Sequence, residues 1–121
     1  MGNRDIGRAG EDIAELYLTR LGYTILGRNI RLGRGEIDIL AKAGSTLIVV
    51  EVKTRLTSAF GRPEDQVTRG KLARLCRLAA AAGLRHQAQF TRIDFVGVTA
   101  RGAVGSRLVD VTVTHIPDIS S

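Results

Sequence analysis

Apolar positions in this chain recur first at helical and then at strand spacing. Between Gly7 and Leu21, the residues Ile13, Leu16, Tyr17 and Leu21 fall on one helical stripe, and Gly22 follows in the position glycine favours after a helix. Three strand-like runs come next: "YTILGRNI", "GEIDILAKA" and "STLIVVEVKTR". The third is apolar on both faces from Leu47 to Val50, as a central strand is. A turn is expected around "FGRPED". A second helix is predicted over Thr68–Ala82, with Leu72, Leu75, Leu78, Ala79 and Ala82 inward, Arg69, Arg74 and Arg77 outward, and Gly83 closing it. "TRIDFVGVTA" and "SRLVDVTVTHI" supply two more strands. The order α-β-β-β-α-β-β places the chain in the α/β class, with a mixed β-sheet flanked by helices.

Four charges interrupt the second and third strands: Glu36, Asp38, Glu51 and Lys53. Gly44-Ser45 is a good two-residue type II′ hairpin turn. With that turn Ala43 pairs with Thr46, Asp38 comes opposite Glu51, and Glu36 comes opposite Lys53, all four on one face. Directly opposed residues have Cβ atoms about 4.5–5.5 Å apart. Two carboxylates that close repel unless a proton or a cation lies between them. Carboxylate oxygens are the ligands Mg²⁺ prefers, typically one or two of them with waters and substrate phosphates. The pattern therefore describes a metal cradle with an ammonium beside it. A solvated face is the competing account, with Glu36–Lys53 a cross-strand ion pair worth under about 1 kcal/mol. That account fits Glu36 better than the two inner carboxylates. Leu47 and Val49 share the face of Glu51, so acidic groups at the end of that apolar run cost desolvation.

Composition narrows the field. At 121 residues the chain is read as one domain, 1–121, with enough surface to bury a core. Its 18 Lys+Arg against 12 Asp+Glu, a net charge of +6, favour a polyanionic partner, although biased codon usage also yields Arg-rich chains. The one cysteine, Cys76, excludes an internal disulfide, fits a reducing compartment and reads as a small hydrophobe buried in the second helix. No apolar stretch approaches the roughly 20 residues of a membrane span, and the polar N-terminus lacks a signal-peptide core. A cytoplasmic protein is expected. His86 and His115 are read as surface residues, and no Cys/His cluster supports zinc. The glycines lack Walker A or Rossmann spacing, and the few aromatic residues argue against a base-stacking platform.

Asp38, Glu51 and Lys53, on adjacent strands after a helix that carries a glutamate, resemble the PD-(D/E)xK, or restriction-endonuclease-like, nucleases. The stretches "GRAGEDIAELYLTRLGYTIL", "RNIRLGRGEIDIL", "VVEVKTR", "FGRPEDQVTRGK" and "RIDFV" are similar, in sequence and in order, to the YraN family of small bacterial proteins. That family shares the restriction-endonuclease-like core and is related to archaeal Holliday-junction resolvases. The match runs from about Gly7 to Val96, with Ile37-Asp38 where those chains usually have Pro-Asp. The resemblance implies functional positions at Glu11, Asp38, Glu51 and Lys53, and a family lysine at Lys71.

The resulting expectation is a metal-dependent endonuclease acting on DNA, most of all branched or structured DNA. Asp38, Glu51 and the Val52 carbonyl would hold Mg²⁺ or Mn²⁺, with Glu11 acting through water or a second ion. Lys53 would position the attacking water, and Arg28, Arg31, Arg34, Arg55 and Lys71 would contact nucleic acid. A homodimer is an open partner and a membrane is not. The alternative is a nucleic-acid-binding or assembly module that keeps the fold without hydrolysis.

Overall fold

A computed structural model of the chain describes residues 2–57 and 67–119. It contains α1 (Asn3–Arg20), β1 (Thr24–Leu32), β2 (Gly35–Ala43), β3 (Thr46–Arg55), α2 (Arg69–Arg85), β4 (Phe90–Val104) and β5 (Arg107–Ile116). This is the expected order, α-β-β-β-α-β-β. The turn expected around "FGRPED" lies outside the described residues. The five strands form one mixed sheet in the order β1-β2-β3-β4-β5. Only β3 and β4 run parallel, and α2 supplies the crossover that a parallel pair requires.

The two helices cover opposite faces. Against α1 lie Ile39, Ala41, Ile48, Val50, Val96 and Val98, gathered around Ala14 and Leu18. Against α2 lie Ile37, Leu40, Leu47, Val49 and Ile93, gathered around Leu75, Leu78, Ala79 and Ala82. A strand buried on both faces needs a continuous apolar run, and Leu47–Val50 provides it in β3.

Several local expectations are corrected. α1 starts at Asn3, not Gly7, and turns Gly10, Ala14 and Leu18 toward the sheet; Leu16 and Leu21 are 51% and 52% exposed. Gly10 permits that rotation, because a Cβ there would lie 1.8 Å from Thr54 Oγ1. α2 runs through Gly83 to Arg85, so Gly83 does not close it. Gly83 instead permits close approach, since a Cβ there would meet Thr91 Cγ2 at 2.7 Å. Cys76 is exposed, one residue on from Leu75 and therefore off the buried stripe.

His115 is also not a surface residue: its side chain is 7% exposed. It lies opposite Val96, and its Nε2 is 2.8 Å from Asp94 Oδ2. Asp94 is fully buried and accepts further hydrogen bonds from Tyr23 Oη at 2.9 Å, Arg92 Nε at 2.8 Å and the Asp118 N–H at 3.0 Å. Burial alone would push the Asp94 carboxyl up, but Arg92, the Asp118 N–H, His115 and Tyr23 together hold it below its ordinary value. This network ties the start of β1 to β4, β5 and the tail after β5.

The contact between Gly10 and Thr54 gives a prediction with a definite sign. A methyl group added at Gly7 would have no atom within 4 Å, so Gly7→Ala should stabilise the chain by roughly 0.5–1 kcal/mol through helix propensity. Gly10→Ala should destabilise it by about 1–3 kcal/mol through overpacking. Paired thermal or urea melts measure both, and a stabilising Gly10→Ala would mean that α1 does not sit tightly on β3.

Candidate functional site

The β2–β3 hairpin turns at Gly44, whose φ of +60° suits the first position of a II′ turn. From there the pairs run from Ala43↔Thr46 to Ile39↔Val50, the register expected from the turn, and the pairing stops. Asp38 and Glu51 stand immediately beyond the last pair. Strand alternation also slips here, because Ile37 and Leu40 both pack toward α2 while Ile39 packs toward α1. On the other side of β2, Asn29 lies between the pairs Arg28↔Ile39 and Ile30↔Ile37 and adopts a left-handed φ of +52°. Asp38 thus occupies an interruption in the sheet on both sides.

Its side chain fills that interruption. Asp38 Oδ2 accepts the Val52 N–H at 2.9 Å, in place of a backbone carbonyl from β2. Burial, then the hydrogen-bonded Glu51 carboxyl and its charge, push the Asp38 carboxyl up to about 7, against the opposing pull of the Val52 N–H and Lys71. The two carboxyls are close enough to share a proton. Glu51 is 12% exposed, and Lys71 Nζ stands 4.0 Å from its Oε2. Lys71 lies in the first turn of α2, where Thr68 Oγ1 caps the helix by accepting the Lys71 N–H at 3.2 Å.

Glu11 follows Gly10 on α1, so the close approach at Thr54 brings it toward the same region. Burial first, and then the charge of Asp38, raise its carboxyl above the ordinary value, while Asn29 and Arg28 pull it down. Arg28 reaches Glu11 at 3.4 Å, Asp12 at 2.7 Å and Glu15 at 3.4 Å. Lys53 has no carboxylate partner among the described residues. Together with Ile6, Gly7, Glu11, Val52 and Thr54 it lines a cleft of about 360 Å³ between α1 and the end of β3.

The other expected positions scatter. Glu36 is exposed, and because the β2–β3 pairing ends at Ile39↔Val50 it has no ladder partner at Lys53, so the expected cross-strand ion pair does not form. Arg31 and Arg34 are exposed, whereas Arg28 is committed to three carboxylates of α1, Lys71 faces Glu51, and Arg55 is partly buried and engaged. Sequence reasoning missed the Asp94 network. Its signal was an aspartate embedded in the apolar run "RIDFV", since a charge so placed demands partners.

Among the described residues, no three His, Cys, Asp or Glu side chains converge to hold an ion by themselves. Two carboxylates do converge, and Mg²⁺ is satisfied by one or two carboxylates with waters and substrate oxygens. The raised proton affinity of Asp38 reflects burial first and the neighbouring Glu51 carboxyl second, and a hard cation would offset both. The donor set fits such an ion. No helix among the described residues is long and apolar enough to cross a membrane.

A family model described as "Uncharacterised protein family UPF0102" matches residues 10–98. Relatives named UPF0102 protein include one from Chlorobium chlorochromatii, 42% identical over 116 residues that cover 94% of this chain and 89% of the relative. One from Acidothermus cellulolyticus is 46% identical over 111 residues, covering 92% and 80%. Another from Caldicellulosiruptor saccharolyticus is 38% identical over 111 residues, covering 92% and 94%.

The pH dependence of the carboxyl pair is testable without any ligand. Asp38 in the folded chain has a pKa of about 7 against an ordinary 3.8, so ionising it costs the fold nothing below about pH 4 and the full penalty above about pH 7. Asp38→Asn keeps an acceptor for the Val52 N–H and gains a donor toward Glu51. It should raise stability by roughly 1–3 kcal/mol at pH 8, allowing for partial exposure, with the gain vanishing toward pH 4. Urea melts across this range measure it, and a pH-independent difference would refute the shared proton.

Proposed function

We propose that this chain, which belongs to the uncharacterised protein family UPF0102, is a metal-dependent enzyme that hydrolyses phosphodiester bonds in DNA. The observation that carries the reading is the crowded Asp38–Glu51 pair with Lys53 two residues along β3 and lacking a carboxylate partner among the described residues. Asp38, Glu51 and the Val52 carbonyl are the groups that would hold Mg²⁺ or Mn²⁺, with Glu11 contributing from α1. The ion, when bound, would supply Lewis acidity and an acidified water. Asp38 keeps its carboxylate fixed through the Val52 N–H, and Lys71 orients Glu51 from α2. The Lys53 ammonium would hydrogen-bond the attacking water and offset charge developing on the phosphate. Support also comes from the resemblance to PD-(D/E)xK nucleases, which is what points to branched or structured DNA.

One observation favours a second reading, a nucleic-acid-binding or assembly module without hydrolysis. Lys71 and Arg28 already engage Glu51 and Glu11, as expected of carboxylates retained for structure.

Single-turnover cleavage of branched DNA at saturating Mn²⁺, with binding measured in parallel, separates the two. Wild type should cut only with metal. Lys53→Ala should bind DNA as wild type does yet cut at least about 100-fold more slowly, because the group acts only in the transition state. Lys53→Arg should rescue poorly, since a planar fork does not replace a compact ammonium. Near-wild-type cleavage by Lys53→Ala removes it from the mechanism, and tight binding without cleavage at any metal concentration supports the module.

A further inference from the structure

The helix α2 carries Arg69, Lys71, Arg74, Arg77 and Arg85 and no acidic residue. Two arginines elsewhere are neutralised: Arg28 takes three carboxylates and Arg92 takes Asp94. Among the described residues Arg74 and Arg77 take none, and neither does Arg34 in the β1–β2 turn. These three exposed arginines converge on one groove of about 460 Å³, floored by Leu32, Leu78 and Ala81.

Gly35 lies so close to α2 that a Cβ on it would meet Leu78 Cδ2 at 2.8 Å. That close packing seats the turn against the helix and brings the backbones of Arg34, Arg74 and Arg77 around one groove. Three like charges held around one concavity raise a positive potential that an anion with several charges would relieve. Guanidinium groups suit phosphate oxygens, which they can grip in bidentate fashion. The groove also adjoins the carboxyl pair, because Lys71 beside Glu51 lies one helical turn before Arg74.

We propose that the groove between the β1–β2 turn and α2 is a backbone-binding site for nucleic acid, in which Arg34, Arg74 and Arg77 hold phosphates away from the position of chemistry. It rests on nucleic acid being the partner and is independent of hydrolysis. Backbone contacts of this kind set register and orientation without reading sequence.

The test uses anisotropy of a short fluorescein-labelled DNA duplex titrated at several salt concentrations in EDTA, so that no cleavage intervenes. A triple variant, Arg34→Gln with Arg74→Gln and Arg77→Gln, is compared with a control of equal charge, Arg20→Gln with Arg85→Gln and Arg107→Gln. Removing three phosphate contacts should flatten the logarithmic salt slope by roughly 2–3 units and weaken binding at low salt at least about tenfold. The control should lose far less, and a triple Lys variant at the groove should retain most of the slope. Equal losses in the groove and control variants would overturn the site while leaving DNA as the partner. Wild type that binds poly-glutamate but no duplex would overturn both the site and the DNA reading.

Discussion

Two carboxyls pressed together where β2 and β3 part are the constraint on which the arrangement of the site depends. Asp38 and Glu51 cannot both ionise there without cost, and burial removes the water that would soften it. Much of the surrounding chemistry offsets this charge. The Val52 N–H fixes one carboxyl and Lys71 faces the other, whereas Glu11 on α1 adds a third carboxyl that the Asp38 charge repels. A chain selected for stability alone would remove one of the pair. In the proposed function, the tension is what a bound cation relieves.

The scaffold makes that position reproducible through short-range packing. The Gly44 turn sets the register, and Leu47–Val50 anchor β3 between two helices. Gly10 against Thr54 seats α1, and Gly35 against Leu78 seats α2 beside the β1–β2 turn. These glycines work by letting elements touch, so the backbone delivers Glu11, Lys71 and the groove arginines to one end of the sheet. The Asp94 network does the corresponding work on the α1 face, joining β1, β4 and β5 around one buried charge.

The sequence revealed what depends on local periodicity. Element order, the hairpin register and the inward face of α2 follow from alternation, turn chemistry and helical spacing, each of which acts over a few residues. Long-range placement was less legible. Leu16 and Leu21 looked inward by hydrophobicity, yet α1 buries Gly10, Ala14 and Leu18, because the close approach of Gly10 to Thr54 turns that face to the sheet. Gly83 looked like a helix end because a glycine admitted for close approach carries the same letter. His115 looked superficial because its partner Asp94 lies on another strand. Within the candidate site, Asp38 and Glu51 were found from the hairpin register together with the resemblance to PD-(D/E)xK nucleases, whereas the commitment of Arg28 to α1 and the convergence of Arg34 with α2 exist only in three dimensions.

Calorimetric titration of Mn²⁺ into the chain, in buffers of different ionisation enthalpy, tests most directly whether the Asp38–Glu51 pair is a cation site. With the Asp38 carboxyl at about 7, binding at pH 6 should release on the order of one proton per ion, and binding at pH 8.5 almost none. Asp38→Asn should lose most of the affinity and all of the proton release. Unchanged binding in the Asn variant, or no proton release at pH 6, would contradict the account.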